Sequence, residues 1–188
     1  MEKSEKQPAV VLLSAPEVGG IASVRCSSIL NKNGKLYGPK NCLTEDETTC
    51  WNTDAAKGGG GGDEDEPSQW LQIEFDPSVV QHVTSLGFQW QAGFIPESCK
   101  LYYRRVDDAI SWIEAADDGE SWEMEDDHAM QTFDVERLLP TTDQAITVQA
   151  IRLVFTDFTD FYGRITLYRL QVWGLCVKEG DHHQAKGS

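Results

Sequence analysis

The sequence predicts an all-β protein, an antiparallel sandwich or jelly roll of about eight strands. Three observations lead there. Apolar and polar residues alternate with a period of two over several runs. No apolar pattern of helical period extends beyond two turns. Glycine, proline and acidic clusters separate the runs at short intervals, as hairpins require.

The elements follow in order. Residues 1–20 mix charge, proline and glycine around Val10-Val11-Leu12-Leu13 and read as an N-terminal arm, with that apolar run as an extra edge strand or an ordered part of the arm. Residues 21–176 form the domain. It is interrupted at 55–66 by five glycines followed by Asp63-Glu64-Asp65-Glu66, a flexible insertion by composition. Trp51 and Trp70 flank the insertion, and both are expected in the core. From Gln69 to Phe75 the pattern sends Trp70 and Gln72 to one side and Leu71, Ile73 and Phe75 to the other. His82 to Trp90 is a strand with Val83, Leu86 and Phe88 inward. Leu101–Val106, Ile110–Glu114 and Gln131–Phe133 are shorter. Val148–Phe155 carries Val148, Ala150 and Leu153 inward, and Ile165–Trp173 is the cleanest run, with Ile165, Leu167 and Trp173 on one face. Residues 177–188 read as a disordered tail.

The 188 residues suffice for one domain with a real core. Sixteen basic against 31 acidic residues give a net charge of −15, which leaves little for the basic face that a nucleic-acid binder needs and disfavours anionic membranes. No apolar run approaches the ~20 residues that span a bilayer. The charged start carries no apolar run of the kind a secretory signal needs. Five cysteines, an odd number without a CxxC pair, make a poor disulfide or zinc framework and read as mostly buried thiols of a reducing compartment.

Searches for chemistry fail in the expected places: the sequence has no GxSxG elbow, P-loop or HExxH. The one adjacent histidine pair, His182-His183, lies in the polar tail. Seven acids crowd residues 117–127, either as a hard-cation site or as a solvated hairpin loop, and the spacing is not that of an EF-hand. Two other segments place aromatics around a glycine where a strand ends: Gln89-Trp90-Gln91-Ala92-Gly93-Phe94 and Asp157-Phe158-Thr159-Asp160-Phe161-Tyr162-Gly163-Arg164. They are either loops tucked over the open end of a sandwich or a binding face, since Trp, Tyr, Phe and Arg dominate interface hot spots.

Thr44-Glu45-Asp46-Glu47-Thr48-Thr49-Cys50-Trp51-Asn52, then Ser68-Gln69-Trp70-Leu71-Gln72-Ile73-Glu74-Phe75, and the closing Tyr168-Arg169-Leu170-Gln171-Val172-Trp173-Gly174 resemble the signature of discoidin-type (F5/8 type C) galactose-binding-like domains. Asp46-Glu47 with Thr49-Cys50-Trp51-Asn52, Gln89 with Gln91, Gly93 and Phe94, and Thr159-Asp160-Phe161 with Gly163-Arg164 resemble, more narrowly, a family of small nuclear-receptor-associated proteins. The resemblance spans about residues 22–175 outside the insertion. It implies an eight-stranded jelly roll with ligand loops at one end. In many such domains a calcium ion sits beside the first loop, but here Thr44 and Arg169 stand at two ligand positions, and a guanidinium there is expected to pair with Asp46 in place of the ion. Secreted relatives carry a terminal disulfide. Cys176 stands near one end of that pairing, and no cysteine stands at the other.

These readings combine into a non-enzymatic interaction module, expected to be monomeric and without cofactor, in the nucleus or cytoplasm. Its expected partner is a protein, by resemblance a nuclear receptor, and its expected effect is modulation of transcription by repression. The expected contact residues are Trp51, Asn52, Trp90, Gln91, Gly93, Phe94, Asp160, Phe161, Tyr162 and Arg164. Two alternatives stand beside it. A glycan-binding module needs exposed aromatic platforms with polar neighbours at the same loops. A hydrolase needs two carboxylates held about 5–9.5 Å apart, whereas the acids here lie in loops.

Overall fold

The computed structural model describes residues 10–58, 67–115, 121–135 and 148–176. The acidic residues 63–66 and 117–120 and the tail with its histidine pair lie outside them. In chain order the strands are β1 (Val10–Leu12), β2 (Ile21–Cys26), β3 (Trp51–Asn52), β4 (Lys57–Gly58), β5 (Pro67–Phe75), β6 (Val80–Trp90), β7 (Pro96–Arg105), β8 (Ile113–Glu114), β9 (Trp122–Glu123), β10 (Gln131–Asp134), β11 (Val148–Phe158) and β12 (Thr166–Cys176). Eight of these have three residues or more, and the other four have two. The only α-helix among the described residues is the single turn α1 (Gly34–Tyr37).

Two antiparallel sheets face each other. One runs β1-β12-β6-β10, with β3 against β12; the other runs β2-β5-β11-β7-β8, with β4 against β5 and β9 against β7. The apolar run Val10–Leu12 is thus an edge strand, and Leu13 behind it is buried. Lys57 and Gly58, inside the segment expected to be flexible, instead form a strand that pairs with Ser68 and Pro67, and the rest of the glycine and acidic run lies outside the described residues.

The inward residues come from alternation. Leu71, Ile73 and Phe75 of β5, Leu86, Phe88 and Trp90 of β6, and Ile151, Leu153 and Phe155 of β11 are buried together. At the end of the sandwich nearest Trp90 the core is aromatic. Phe88 stacks on Trp90 at 5.5 Å, Trp90 meets Phe155 edge-on at 5.5 Å, and Trp51 lies 6.3 Å from Phe155.

Three expectations need correction. Trp173 is half-exposed, while Leu170 and Val172 are buried, because a bulge at Tyr168 shifts the phase of β12 by one residue. Trp70 is half-buried on the outer side of its sheet, where alternation sends it, and only Trp51 of the pair lies in the core. The five cysteines are free thiols, of which Cys42 and Cys99 are buried and the other three half-buried. Burial pushes the Cys26 thiol up to about 11 and raises those of Cys42 and Cys99 as well.

Candidate partner-binding tip

Backbone bonds bring the two aromatic loops to one end of the sandwich. The amide of Gln91 donates to Thr166 O at 2.9 Å, and the amide of Thr166 to Phe94 O at 2.9 Å. The amide of Thr159 donates to Ile95 O at 3.1 Å, and Thr159 Oγ1 accepts from the amide of Ile95. Each loop is closed by a glycine in the left-handed region, Gly93 at φ +82° and Gly163 at φ +69°. Gly163 has a second reason to be glycine: a Cβ there would stand 2.5 Å from Ala56 Cβ.

Asp160 organises its own loop. One carboxylate oxygen accepts from the amides of Tyr162 and Arg164 at 3.1 Å, and the two oxygens together take Arg164 Nε and Nη2 at 3.0 Å each. The hydrogen bonds from Arg164 hold the Asp160 carboxyl below its ordinary range. The Arg164 guanidinium also lies 5.4 Å from the Phe94 ring and 5.4 Å from the Tyr162 ring, so it joins both loops. Beneath them Gln69, 1% exposed, donates its amide to Asp54 O and Gly163 O while its oxygen accepts from the hydroxyls of Ser27 and Ser28.

The outermost residues are Phe161 and Tyr162, 92% and 60% exposed, with rings edge to face at 5.3 Å. Simple alternation would turn Phe161 inward, but the carboxylate-capped turn replaces extended backbone here, and both rings face solvent. Phe94, Arg164, Asp160, Gln91 and Asn52 are half-buried around them, and Gly93 is exposed. Trp51 and Trp90 are 0% exposed, so they leave the contact set. Their rings fill the aromatic core below the tip. Trp51 Nε1 donates to Ser28 O at 3.1 Å.

Sequence reasoning missed what supports these loops. Asp126, from the acidic stretch, accepts from the amide of Gly93 at 2.7 Å. His128 bonds the Trp90 carbonyl at 2.8 Å and meets the Tyr168 ring edge-on. Tyr168 Oη in turn donates to Gln91 Oε1 at 3.4 Å. No local signal marks these residues, because each partner lies more than 30 residues away in the chain. Beside the tip a cleft of about 490 Å³ is lined by Glu97, Glu123, Asp126 and Asp157 over Ile95 and Met124.

The turn where related folds hold calcium does not fit that ion. Arg169 Nη2 donates to Glu45 O at 2.9 Å and lies 3.7 Å from a Glu47 carboxylate oxygen, not beside Asp46 as expected. Asp46 instead caps its own turn by accepting from the amide and hydroxyl of Thr48. Thr44 and Thr49 hydroxyls both donate to Asn41 O. Carbonyls that would ligate a cation are taken by hydroxyls and a guanidinium. Among the described residues no cluster of three His, Cys, Asp or Glu is arranged for a metal.

Two stacked sheets with organised loops at one end make a galactose-binding-like jelly-roll fold. The fold is similar to an F5/8 type C domain from Bacteroides fragilis, with a TM-score of 0.60 and 14% identity over 82% of this chain and 92% of that one. It is also similar to chitosan-binding module 1 of a Paenibacillus chitosanase/glucanase (TM-score 0.56, 16% identity, 84% and 98% covered) and to the family 32 carbohydrate-binding module of Clostridium perfringens NanJ, solved with galactose (TM-score 0.53, 12% identity, 80% and 92% covered). No family model matches. Whole-sequence likeness is narrower. The chain is 37% identical over 150 residues to the nuclear receptor 2C2-associated protein of Mus musculus, and 33% identical to those of Homo sapiens and Danio rerio, covering 80% of this chain and 89% of each relative. The chain belongs to the nuclear receptor 2C2-associated protein family.

Proposed function

We propose that the protein is a non-catalytic adaptor that binds a nuclear receptor through the aromatic tip and thereby represses transcription, acting as a monomer in the nucleus or cytoplasm. The family is named for association with nuclear receptor 2C2, which supplies the partner class. The observation that carries the site is the pair Phe161 and Tyr162, exposed yet mounted on a loop tied down by Asp160, Arg164 and Gln69. Rings already ordered before binding lose little entropy on association. The tip residues in this reading are Phe161, Tyr162, Phe94, Arg164 and Asp160, with Gln91, Gly93 and Asn52 below them.

The test compares Tyr162→Ala and Phe161→Ala with Gln81→Ala, an exposed residue near the opposite end of β6 from Trp90. Affinity for purified nuclear receptor 2C2 is measured together with thermal melts, and a receptor-driven reporter reads repression. Each tip variant is expected to weaken binding by about 1–3 kcal/mol with an unchanged melt. Parent-like affinity in both variants would remove the tip.

A second reading is a glycan module. Exposed rings beside Asp160, Arg164 and Gln91 have the composition of a sugar platform, and two fold neighbours are described as binding chitosan or galactose. Titration with galactose and chitosan oligosaccharides, followed by tryptophan and tyrosine fluorescence, separates this from receptor binding.

A further inference from the structure

A second concentration of aromatic and cationic side chains lies on the outer face of the β2-β5-β11-β7-β8 sheet, on elements other than the tip loops. Strand register aligns Arg25 with Gln72, Gln72 with Arg152, and Arg152 with Tyr102. The Arg152 guanidinium lies 4.6 Å from the Trp112 ring and 5.4 Å from the Trp70 ring. Its Nε and Nη2 both donate to Gln72 Oε1, at 3.1 and 2.6 Å. The Arg104 guanidinium also lies over the Trp112 ring, at 5.0 Å, and gives Nη2 to Glu74 at 2.6 Å, while Arg25 reaches the second oxygen of the same carboxylate at 3.3 Å.

The charges do not balance. Glu74 already serves Arg25 and Arg104. Arg152 has an amide and two indole faces but no carboxylate partner among the described residues. Partial burial and the like charges of Arg104 and Arg25 act against its protonated form, and the Glu74 charge offsets this only in part. Neutral residues would cover this face without that repulsion. In a chain of net charge −15, three guanidiniums gathered around one carboxylate stand out.

An apolar groove adjoins the cluster. It holds about 430 Å³ and is lined by Val24, Cys26, Ile29, Pro39 and Trp70, with Arg25 and Lys40 among its walls. Lys40 is exposed and makes no ion pair among the described residues. Trp70 and Arg25 belong to both the groove and the cluster, so the two form one continuous surface.

We propose that this surface is a second docking site, for a short acidic segment of a partner protein whose carboxylates meet Arg152, Arg25 and Lys40 while an apolar side chain enters the groove beside Trp70. With Nε and Nη2 of Arg152 on Gln72, an incoming carboxylate meets the Nη1–Nη2 edge of the guanidinium. The groove favours a peptide over a nucleic acid, since a phosphate backbone has no apolar side chain to fill it. The proposal stands independently of the tip.

The probe is a short fluorescein-labelled peptide in which aspartate and glutamate alternate with leucine, followed by fluorescence anisotropy on the full chain. The parent protein is expected to bind it, more weakly as salt is raised, and not to bind the same peptide with lysine in place of the acids. Arg152→Gln is expected to weaken binding about tenfold, the equivalent of one lost charge-assisted contact. Arg25→Gln changes a side chain that is 66% exposed, keeps the fold, and is expected to weaken binding in the same direction. Gln81→Ala is expected to bind as the parent does. The proposal is overturned if the acidic peptide does not bind, if both arginine variants bind it as tightly as the parent, or if the lysine peptide binds equally well. Tighter binding of single-stranded DNA would overturn it in favour of a nucleic-acid surface. A sedimentation coefficient that falls in the arginine variants would overturn it in favour of a second copy of the chain.

Discussion

The two left-handed glycines of the tip offer an internal comparison. Gly93 and Gly163 have φ of +82° and +69°, so alanine meets a similar backbone penalty at either, about 1–2 kcal/mol. Alanine also restricts the unfolded chain, which offsets about 0.4–1 kcal/mol. The two positions part company in space. A Cβ on Gly93 meets nothing within 4 Å, whereas on Gly163 it meets Ala56 Cβ at 2.5 Å and Phe158 Cδ2 at 3.1 Å. Ala56 cannot swing aside, because its amide donates to Tyr162 O at 2.9 Å. Overpacking of this kind adds about 1–3 kcal/mol. Gly93→Ala should therefore destabilise by about 0.5–1 kcal/mol and Gly163→Ala by about 2–4 kcal/mol. Urea melts with matched slopes measure both. Equal losses in the two variants would refute the packing argument, and a Gly163→Ala protein as stable as the parent would refute the turn itself.

Three further outcomes follow from the geometry. Trp51→Ala removes a ring with no exposed surface and should cost about 3–5 kcal/mol in denaturant melts; a loss under about 1 would mean that the ring is not in the core. Asp160 is held below the ordinary carboxylate value of about 3.9 by Arg164, so its contribution to stability is complete above that pH and lost as pH falls through the lower, folded value. A carboxyl NMR titration should give a midpoint below 3.9 for Asp160, and Asp160→Asn should remove that part of the acid dependence; a midpoint at or above the ordinary value contradicts the pair. With Arg169 donating to the Glu45 carbonyl, millimolar calcium should leave the melting temperature unchanged, and a chelator-reversible rise of several degrees would show that the turn does take the ion.

Residue alternation carried the sheets because it is a local property. Leu71, Ile73 and Phe75, and Leu86 and Phe88, fall inward as the period of two requires. It failed at Trp173, since a bulge at Tyr168 depends on how β12 pairs with β6 and leaves no trace in β12 alone. At the tip, glycines and aromatics marked the two loops, and their meeting at one end followed from the jelly roll that the resemblance implies. The orientation of Phe161 was not, because it is decided by hydrogen bonds from Asp160 that replace extended backbone with a turn. Trp51 and Trp90 show the opposite limit: composition marks tryptophan as an interface residue and as a core residue alike, and only the tertiary fold decides. The arginine and tryptophan face stayed hidden because its members come from β2, β5, β7, β11 and the segment before β8.

Gln69 separates what the tip is made of from what it displays. One buried amide holds Ser27, Ser28, Asp54 and Gly163 in place, yet it touches neither Phe161 nor Tyr162. The two displayed rings can therefore change over generations, or in a library, while the platform beneath them keeps its shape. Recognition can drift toward a new partner without each step first having to rescue the fold.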